Sequence, residues 1–320
     1  MFTYLSLIAA ASGVASVTRP IYFVRDGDIF LHSTSGDQKI ISRGNYPAIS
    51  PNGKKLAFIR NEDLYVYGLD SHIESRKTFF RHDSDRSKLS GNRTAFPSWD
   101  PNGECILCSH LDALNVKMAN PPQAAIHFLP FTDRPALWSV YWYRINSGQG
   151  NAKTVSFLSN STSASNFFLS STFGASFSPQ GDNVAFCRNG DLWMANLNNR
   201  AQGENTAFGW TEERVWALAN LDGNSDNWSS FIFRISWSPS GSKLAVYSDE
   251  YRDGVDKITY IVDVKNPGKK LVEIAGADGM FFGDNEVLFW KREGGKPCIF
   301  SYSLTTKQIR LVIRNGYNPG

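Results

Sequence analysis

The chain has 320 residues, 42% of them apolar and 13% aromatic, and its formal charge is only +3, from 33 basic and 30 acidic side chains. That length suits one large all-β domain or two ordinary ones, with enough apolar matter for a substantial core. No run of five basic residues occurs, which argues against a nucleic-acid groove or an anionic-membrane patch, and no apolar stretch approaches the roughly eighteen residues of a spanning helix.

The opening segment, MFTYLSLIAAASGVASVTRP, carries an apolar run from Leu5 to Ala11 followed by small residues ending at Val14-Ala15-Ser16. We read residues 1–16 as an export signal, although no Lys or Arg precedes the run; the alternative is an apolar strand packed on the domain edge.

Four tight turns recur farther along: Ser50-Pro51-Asn52-Gly53, Asp100-Pro101-Asn102-Gly103, Ser178-Pro179-Gln180-Gly181 and Ser238-Pro239-Ser240-Gly241. Proline presets φ at the second position of such a turn and glycine accepts the positive φ at its end, so each turn joins two antiparallel strands. A short apolar strand precedes each turn: Tyr46–Ile49, Ala95–Trp99, Phe173–Phe177 and Phe231–Trp237. An unbroken apolar run follows each one, as in Leu56-Ala57-Phe58-Ile59 and Val184-Ala185-Phe186-Cys187. Strands apolar on both faces are buried on both faces. A third strand rich in aromatic and β-branched residues comes next, as in Asp63–Tyr67 and Asp191–Met194, and a more polar fourth strand closes the unit. A four-stranded unit covered on both sides is a propeller blade.

Third strands are predicted at Asp28–His32, Leu64–Tyr67, Val140–Tyr143, Leu192–Ala195, Ile258–Val262 and Ile299–Tyr302, which predicts an all-β, six-bladed β-propeller of four-stranded antiparallel blades. The blades run over approximately 20–44, 45–92, 93–160, 173–220, 231–275 and 277–315, with the propeller as a whole spanning 17–320. In the last blade Gly283-Asp284-Asn285-Glu286 replaces the proline turn, and the first blade, entered at Ile21–Arg25, has no inner strand of its own. The first blade is therefore three-stranded, or is completed by residues near Tyr317, where IRNGYNPG echoes ISRGNYPAIS, or by the amino-terminal segment.

The order of short inner strand, Ser-Pro-x-Gly, Lys-Leu-Ala-Phe and Asp-Leu-Tyr-Val resembles the TolB-like (WD40-like) propeller repeat. The resemblance covers about Arg19 to Ile313 and is clearest in the blades at Tyr46, Phe173 and Phe231. It implies a six-bladed ring, usually exported in bacteria and used to bind proteins or small ligands. Neither the α/β domain that precedes the propeller in TolB nor the serine-hydrolase domain of prolyl-peptidase relatives is expected here, so functions housed in those domains do not transfer.

Loop lengths separate the two ends of the ring. The proline turns are short, whereas the opposite end receives the insertion Leu111–Leu137 and the long connections Arg81–Arg93, Ser159–Ser171 and Leu221–Ser230. Long loops in a compact domain usually bind something, which makes this end the predicted functional face. Its candidate binding residues are His110, His127, Phe131 and Trp138 in and around the insertion, Arg81 and His82, Trp228, and Asp249 with Glu250. The insertion reads equally as an aromatic contact surface over the channel mouth or as hydrophobes folded back on their own blade.

Asp222-Gly223-Asn224-Ser225-Asp226-Asn227 begins like a calcium loop, but it lacks glycine at the sixth place and has Phe233 where a bidentate Glu belongs, so no metal or other cofactor is predicted. There is no Gly-x-Ser-x-Gly elbow, His-Glu-x-x-His or phosphate-binding loop. Cys105, Cys108, Cys187 and Cys298 read as buried thiols, with a Cys108–Cys187 bridge as the alternative. The sequons at Asn92, Asn160 and Asn227 lie in blade-to-blade loops and would carry glycan only in a secreted eukaryotic protein.

The expected function is a non-enzymatic, monomeric scaffold, exported to the periplasm or beyond, that binds a protein or polysaccharide through the long-loop face. The rival is a carbohydrate-active hydrolase or lyase using rim carboxylates or histidines at the central channel.

Overall fold

The computed structural model describes residues 19–78, 94–113, 136–144, 152–155, 172–188, 191–200, 210–216, 232–248, 257–266 and 270–320, and among them the structure is entirely β. The strands form six antiparallel sheets in chain order. The first holds β1 (Ile21–Arg25), β2 (Asp28–Ser33) and β3 (Gly36–Ile41). Blade two holds β4 (Asn45–Ile49), β5 (Lys55–Arg60), β6 (Asp63–Gly68) and β7 (Glu74–Arg76). Blade three holds β8 (Thr94–Trp99), β9 (Cys105–Ala113), β10 (Ala136–Arg144) and β11 (Ala152–Val155). Blade four holds β12 (Thr172–Phe177), β13 (Asn183–Arg188), β14 (Asp191–Arg200) and β15 (Trp210–Trp216). Blade five holds β16 (Ile232–Trp237), β17 (Lys243–Ser248), β18 (Ile258–Asp263) and β19 (Lys270–Ala275). Blade six holds β20 (Ala277–Gly283), β21 (Glu286–Glu293), β22 (Lys296–Ser303) and β23 (Ile309–Arg314).

The four proline turns share one geometry. Each closes with the glycine N–H donating to the carbonyl of the first turn residue, at 2.9 Å for Gly53 to Ser50, 3.0 Å for Gly103 to Asp100, 2.9 Å for Gly181 to Ser178 and 2.8 Å for Gly241 to Ser238. The four glycines have φ between 70° and 76°, the left-handed region that costs an L side chain most. The first residue's side chain also accepts the N–H that opens the next strand, from Lys55, Cys105, Asn183 and Lys243 in turn. Ser or Asp at that position thus fixes the hairpin register.

The core lies between blades. Alternate residues of each second strand face opposite neighbours: Leu56 and Phe58 pack with Tyr22, Val24 and Ile29 of the first blade, while Ala57 and Ile59 pack with Trp99, Ile106 and Cys108 of the third. The same alternation puts Val184 and Phe186 against Leu107, and Ala185 and Cys187 against Trp237 and Leu244. Blade six turns Val287 and Phe289 toward Ala245 and Leu288 toward Ile21 and Phe23, so the last blade meets the first. The small alanine of the repeat has a packing reason: Ala57 and Ala185 each share a cluster with a tryptophan at the end of the next blade's inner strand. Those indoles donate across the blade boundary, Trp99 to the Ala48 carbonyl at 2.9 Å and Trp237 to the Ser176 carbonyl at 3.0 Å.

Ring closure is made by the carboxy-terminal segment. Tyr317 and Val24 exchange backbone hydrogen bonds of 2.8 and 2.9 Å, and Gly320 and Tyr22 exchange bonds of 2.7 and 3.1 Å. Residues 317–320 are therefore the inner strand that the first blade lacks. Their kinship with the second blade is conformational as well, since Arg43 and Asn315 have φ 55° and 54°, and Tyr46 and Asn318 have φ 49° and 47°.

The four cysteines are free and buried. Cys108 sits between blades two and three and Cys187 between blades four and five, so a bridge between them, the alternative weighed above, is excluded by their separate layers. Burial pushes the Cys108 thiol up to about 12, and nearby Asp63 adds to the effect.

Candidate functional site

A cavity of about 360 Å³ opens at the mouth of the central channel. Its walls come from the starts of the inner strands (Asn45 and Tyr46, Phe96, Asp278, Tyr317 and Asn318), the ends of second strands (Tyr247, Trp290, Arg292) and the approaches to third strands (Lys257, Pro297). All of these lie at the end opposite the proline turns.

A repeated backbone irregularity positions these side chains. In blade two the register steps from Asn45↔Ile59 to Ala48↔Ala57, and in blade three from Ala95↔Ser109 to Ser98↔Leu107. The same step follows Phe173, Ile232 and Ala277. The bulged residue is left-handed wherever its φ is described: Tyr46 at 49°, Phe96 at 55°, Gly174 at 66°, Asp278 at 51° and Asn318 at 47°. Glycine, Asn and Asp tolerate that conformation, whereas an aromatic residue there costs on the order of 1–2 kcal/mol. Bulges re-aim side chains at barrel rims and beside binding sites, and strain of this kind concentrates where function over-determines the backbone.

The walls are aromatic and paired. Tyr46 and Phe96 meet with ring centroids 4.8 Å apart at 58°, and Trp290 and Tyr317 with centroids 6.1 Å apart at 61°. Asn45 ties two entries together, its Oδ1 accepting from the Tyr46 N–H at 2.9 Å and from Asn318 Nδ2 at 2.7 Å.

The charge is concentrated on one side. Asp278 is buried, and its Oδ2 accepts from Trp290 Nε1 at 2.7 Å. Burial raises its carboxyl above the ordinary range, against the opposing pull of Arg234, Trp290 and Lys257. Arg234 stands on β16, on the same side as Ser236, whose hydroxyl accepts from the Phe281 N–H of blade six at 3.1 Å. That face turns the guanidinium toward β20, with Asp278 and Tyr46 as its nearby charge partners. Arg234 Nη1 is enclosed and has no hydrogen-bond partner, and burial lowers the guanidinium's affinity for its proton. Lys257 Nζ lies 4.9 Å from the centroid of the Trp290 ring.

Of the residues proposed from sequence, His110 lies on β9 opposite Thr94 and Ser139, and Trp138 lies on β10 opposite Leu111; their side chains are outside the described residues. His127, Phe131, Arg81, His82, Trp228, Asp249 and Glu250 fall outside the described residues, as do residues 1–16, residues 114–135 of the insertion and the calcium-like turn. The cavity walls are different residues, missed because they sit at strand entries, not in long loops. A signal was present, in that a proline or glycine follows the bulged residue at Tyr46-Pro47, Phe96-Pro97, Asp278-Gly279 and Asn318-Pro319. Among the described residues no group of three or more His, Cys, Asp or Glu could hold a metal ion, and no helix is long and apolar enough to cross a membrane.

No protein-family model matches the chain, and no curated protein does. Solved structures do. TolB from Acinetobacter baumannii superposes with a TM-score of 0.60 at 17% identity, over 94% of this chain and 65% of that one, so this chain spans less than two thirds of that TolB. A putative TolB from Agrobacterium tumefaciens gives 0.55 at 13% identity over 93% of this chain and 90% of that one. A nidogen/laminin complex gives 0.56 at 10% identity, covering 91% of both chains. At such identities the likeness speaks for architecture, and that architecture is a TolB-like six-bladed β-propeller.

Proposed function

We propose that this propeller is a binding scaffold that engages a protein or an extracellular polymer at the end opposite its proline turns. The observation that carries the reading is the cavity at the channel mouth, whose aromatic walls Tyr46 and Phe96 are held in left-handed bulges. Strained aromatics around a concave site supply rigid contact area at little entropic cost on binding. The nidogen/laminin complex, whose fold this chain shares, is itself an assembly of proteins. We also read the chain as exported, on the apolar run Leu5–Ala11 and its small-residue boundary.

Site-specific photocrosslinking tests the scaffold reading. A benzophenone amino acid at Phe96 should yield discrete adducts in extract of the native organism, and the same group at Asn52, in a turn of the opposite end, should not. Equal yields from both positions, or none from Phe96, would overturn the assignment. Amino-terminal sequencing of the protein recovered from its host tests export, which predicts a mature start near residue 17.

A further inference from the structure

The described wall of the cavity divides into two arcs. Lys257, Asp278, Trp290 and Arg292 come from blades five and six, and their polar groups are engaged with one another or with their own hairpin. Trp290 Nε1 donates to Asp278 at 2.7 Å, Lys257 Nζ lies 4.9 Å from the Trp290 centroid, and Arg292 donates to the Gly295 carbonyl at 2.8 Å. The other arc, Tyr317, Asn318, Asn45, Tyr46 and Phe96, comes from the inner strands of blades one to three and carries no charge. Its two amides are half used. Asn45 Oδ1 accepts from the Tyr46 N–H at 2.9 Å and from Asn318 Nδ2 at 2.7 Å, which fixes the orientation of both groups. Asn45 Nδ2 and Asn318 Oδ1 are left without a hydrogen-bond partner among the described residues, although Asn318 is only 5% exposed. Neither atom is sealed from solvent and both residues line the cavity, so an unmet donor and an unmet acceptor open into it. Beside them Tyr46, Phe96 and Tyr317 are half-buried, and the 58° tilt between the first two rings leaves face area that a parallel stack would hide.

We propose that this uncharged arc binds a neutral sugar residue of an extracellular glycan: the pyranose ring would lie against Phe96, Tyr46 and Tyr317, and its hydroxyls would meet Asn45 Nδ2 and Asn318 Oδ1. This deepens, and rests on, the scaffold reading. A pyranose pairs a face of C–H groups with a rim of hydroxyls that each donate and accept. That is the complement of flat aromatic surface edged by one free donor and one free acceptor. Hydroxyls that replace cavity water on the two amide atoms keep those bonds, while the ring gains the apolar contact. At about 360 Å³ the cavity is near the small end of ligand sites, which run from ~300 to ~1,000 Å³, and it suits one or two rings of a chain better than a protein surface. Because the contacts are uncharged, affinity should hardly depend on salt.

The test applies the full chain to immobilised neutral oligosaccharides of glucose, galactose, mannose, xylose and N-acetylglucosamine. The trisaccharide of the sugar that retains it is then titrated by calorimetry. At least one should bind saturably, with an affinity that changes less than about twofold between ~0.05 and ~0.5 M salt. Phe96→Leu keeps apolar bulk but removes a flat face, and should weaken binding about tenfold. Asn45→Asp keeps the acceptor for the Tyr46 N–H and Asn318 Nδ2 but removes the free donor, and should weaken binding about five- to tenfold. Thermal unfolding establishes that each variant is folded, and either one decides the matter if the other is not. Retention by none of the glycans, a steep loss of affinity in salt, or unchanged affinity in a folded variant would overturn the proposal. The scaffold reading fails separately, through the crosslinks: protein adducts at Phe96 with no glycan retained would leave it standing and make a polypeptide the occupant.

Discussion

The indole of Trp237 reaches out of its own blade to the main-chain carbonyl of Ser176 in the preceding one, at 3.0 Å, and lies in the layer that holds Ala185. One side chain thus combines a large-against-small contact with a cross-blade hydrogen bond. Trp237→Phe keeps most of the apolar contact and should cost about 1–2 kcal/mol, the loss of a donor to a buried carbonyl. Trp237→Ala should cost about 3–5 kcal/mol. Urea denaturation of both variants checks the pair of values, and equal losses would mean that the hydrogen bond contributes nothing.

Removal of residues 317–320 should open the ring between its first and last blades. It strips β1 of the bonds to Tyr317 and Gly320 and takes Tyr317 from the layer of Tyr22, Val24, Leu56 and Phe58 and from its contact with Trp290. We expect a lower unfolding midpoint and faster amide exchange at Tyr22 and Val24, read by hydrogen–deuterium exchange, with the layer around Phe186 changed much less.

Asp63 opens the third strand of blade two and is buried at 1% exposure. Its carboxylate accepts from the Thr78 hydroxyl at 3.0 Å and pairs with Arg76, while Thr78 Oγ1 accepts the Leu64 N–H at 2.9 Å. Asp28 holds the fourth strand of the first blade similarly, through Lys39 and the Arg43 N–H. The repeat's aspartate is therefore a structural tie. Asp63→Ala should lower stability by about 2–4 kcal/mol, since it strands a buried hydroxyl and a charged partner. Thermal unfolding measures it.

Asp278 has its carboxyl raised by burial, so the folded state holds its proton to higher pH than the unfolded chain does. Its contribution therefore falls as pH rises from the ordinary carboxylate value near ~4 up to the raised value, and is level beyond it. The groups acting on it are Arg234 on β16, Lys257 ahead of β18 and Trp290 on β21. Asp278→Asn does not titrate, so wild type should lose stability relative to this variant between pH 4 and 7. Paired urea titrations at the two pH values check the sign, and an unchanging difference would refute it.

The blade architecture was legible because it is written in local rules that repeat. Ser-Pro-x-Gly dictates a turn, and an unbroken run such as Leu-Ala-Phe-Ile dictates burial on both faces, wherever they occur. The closing strand was half legible: Tyr317-Asn318-Pro319 echoes Asn45-Tyr46-Pro47, but pairing across nearly the whole chain leaves no local mark. The cavity was the least visible feature. Its residues are scattered single positions and pairs from blades two, three, five and six and from the closing segment, brought into one place only when the ring is formed.

Because the innermost strand of the first blade comes from residues 317–320, that blade cannot be completed in the order in which a ribosome delivers the chain. At ~5–20 residues per second, Ile21–Arg25 would wait on the order of 15–60 s for its partner to be made. Through that interval Phe23 lacks Leu288, Ile299 and Ile313, and the edge of β1 lacks its strand partner. The nascent propeller is a bracelet with its clasp undone until residues 317–320 are made, and whatever shields that edge in the cell has to hold on at least that long.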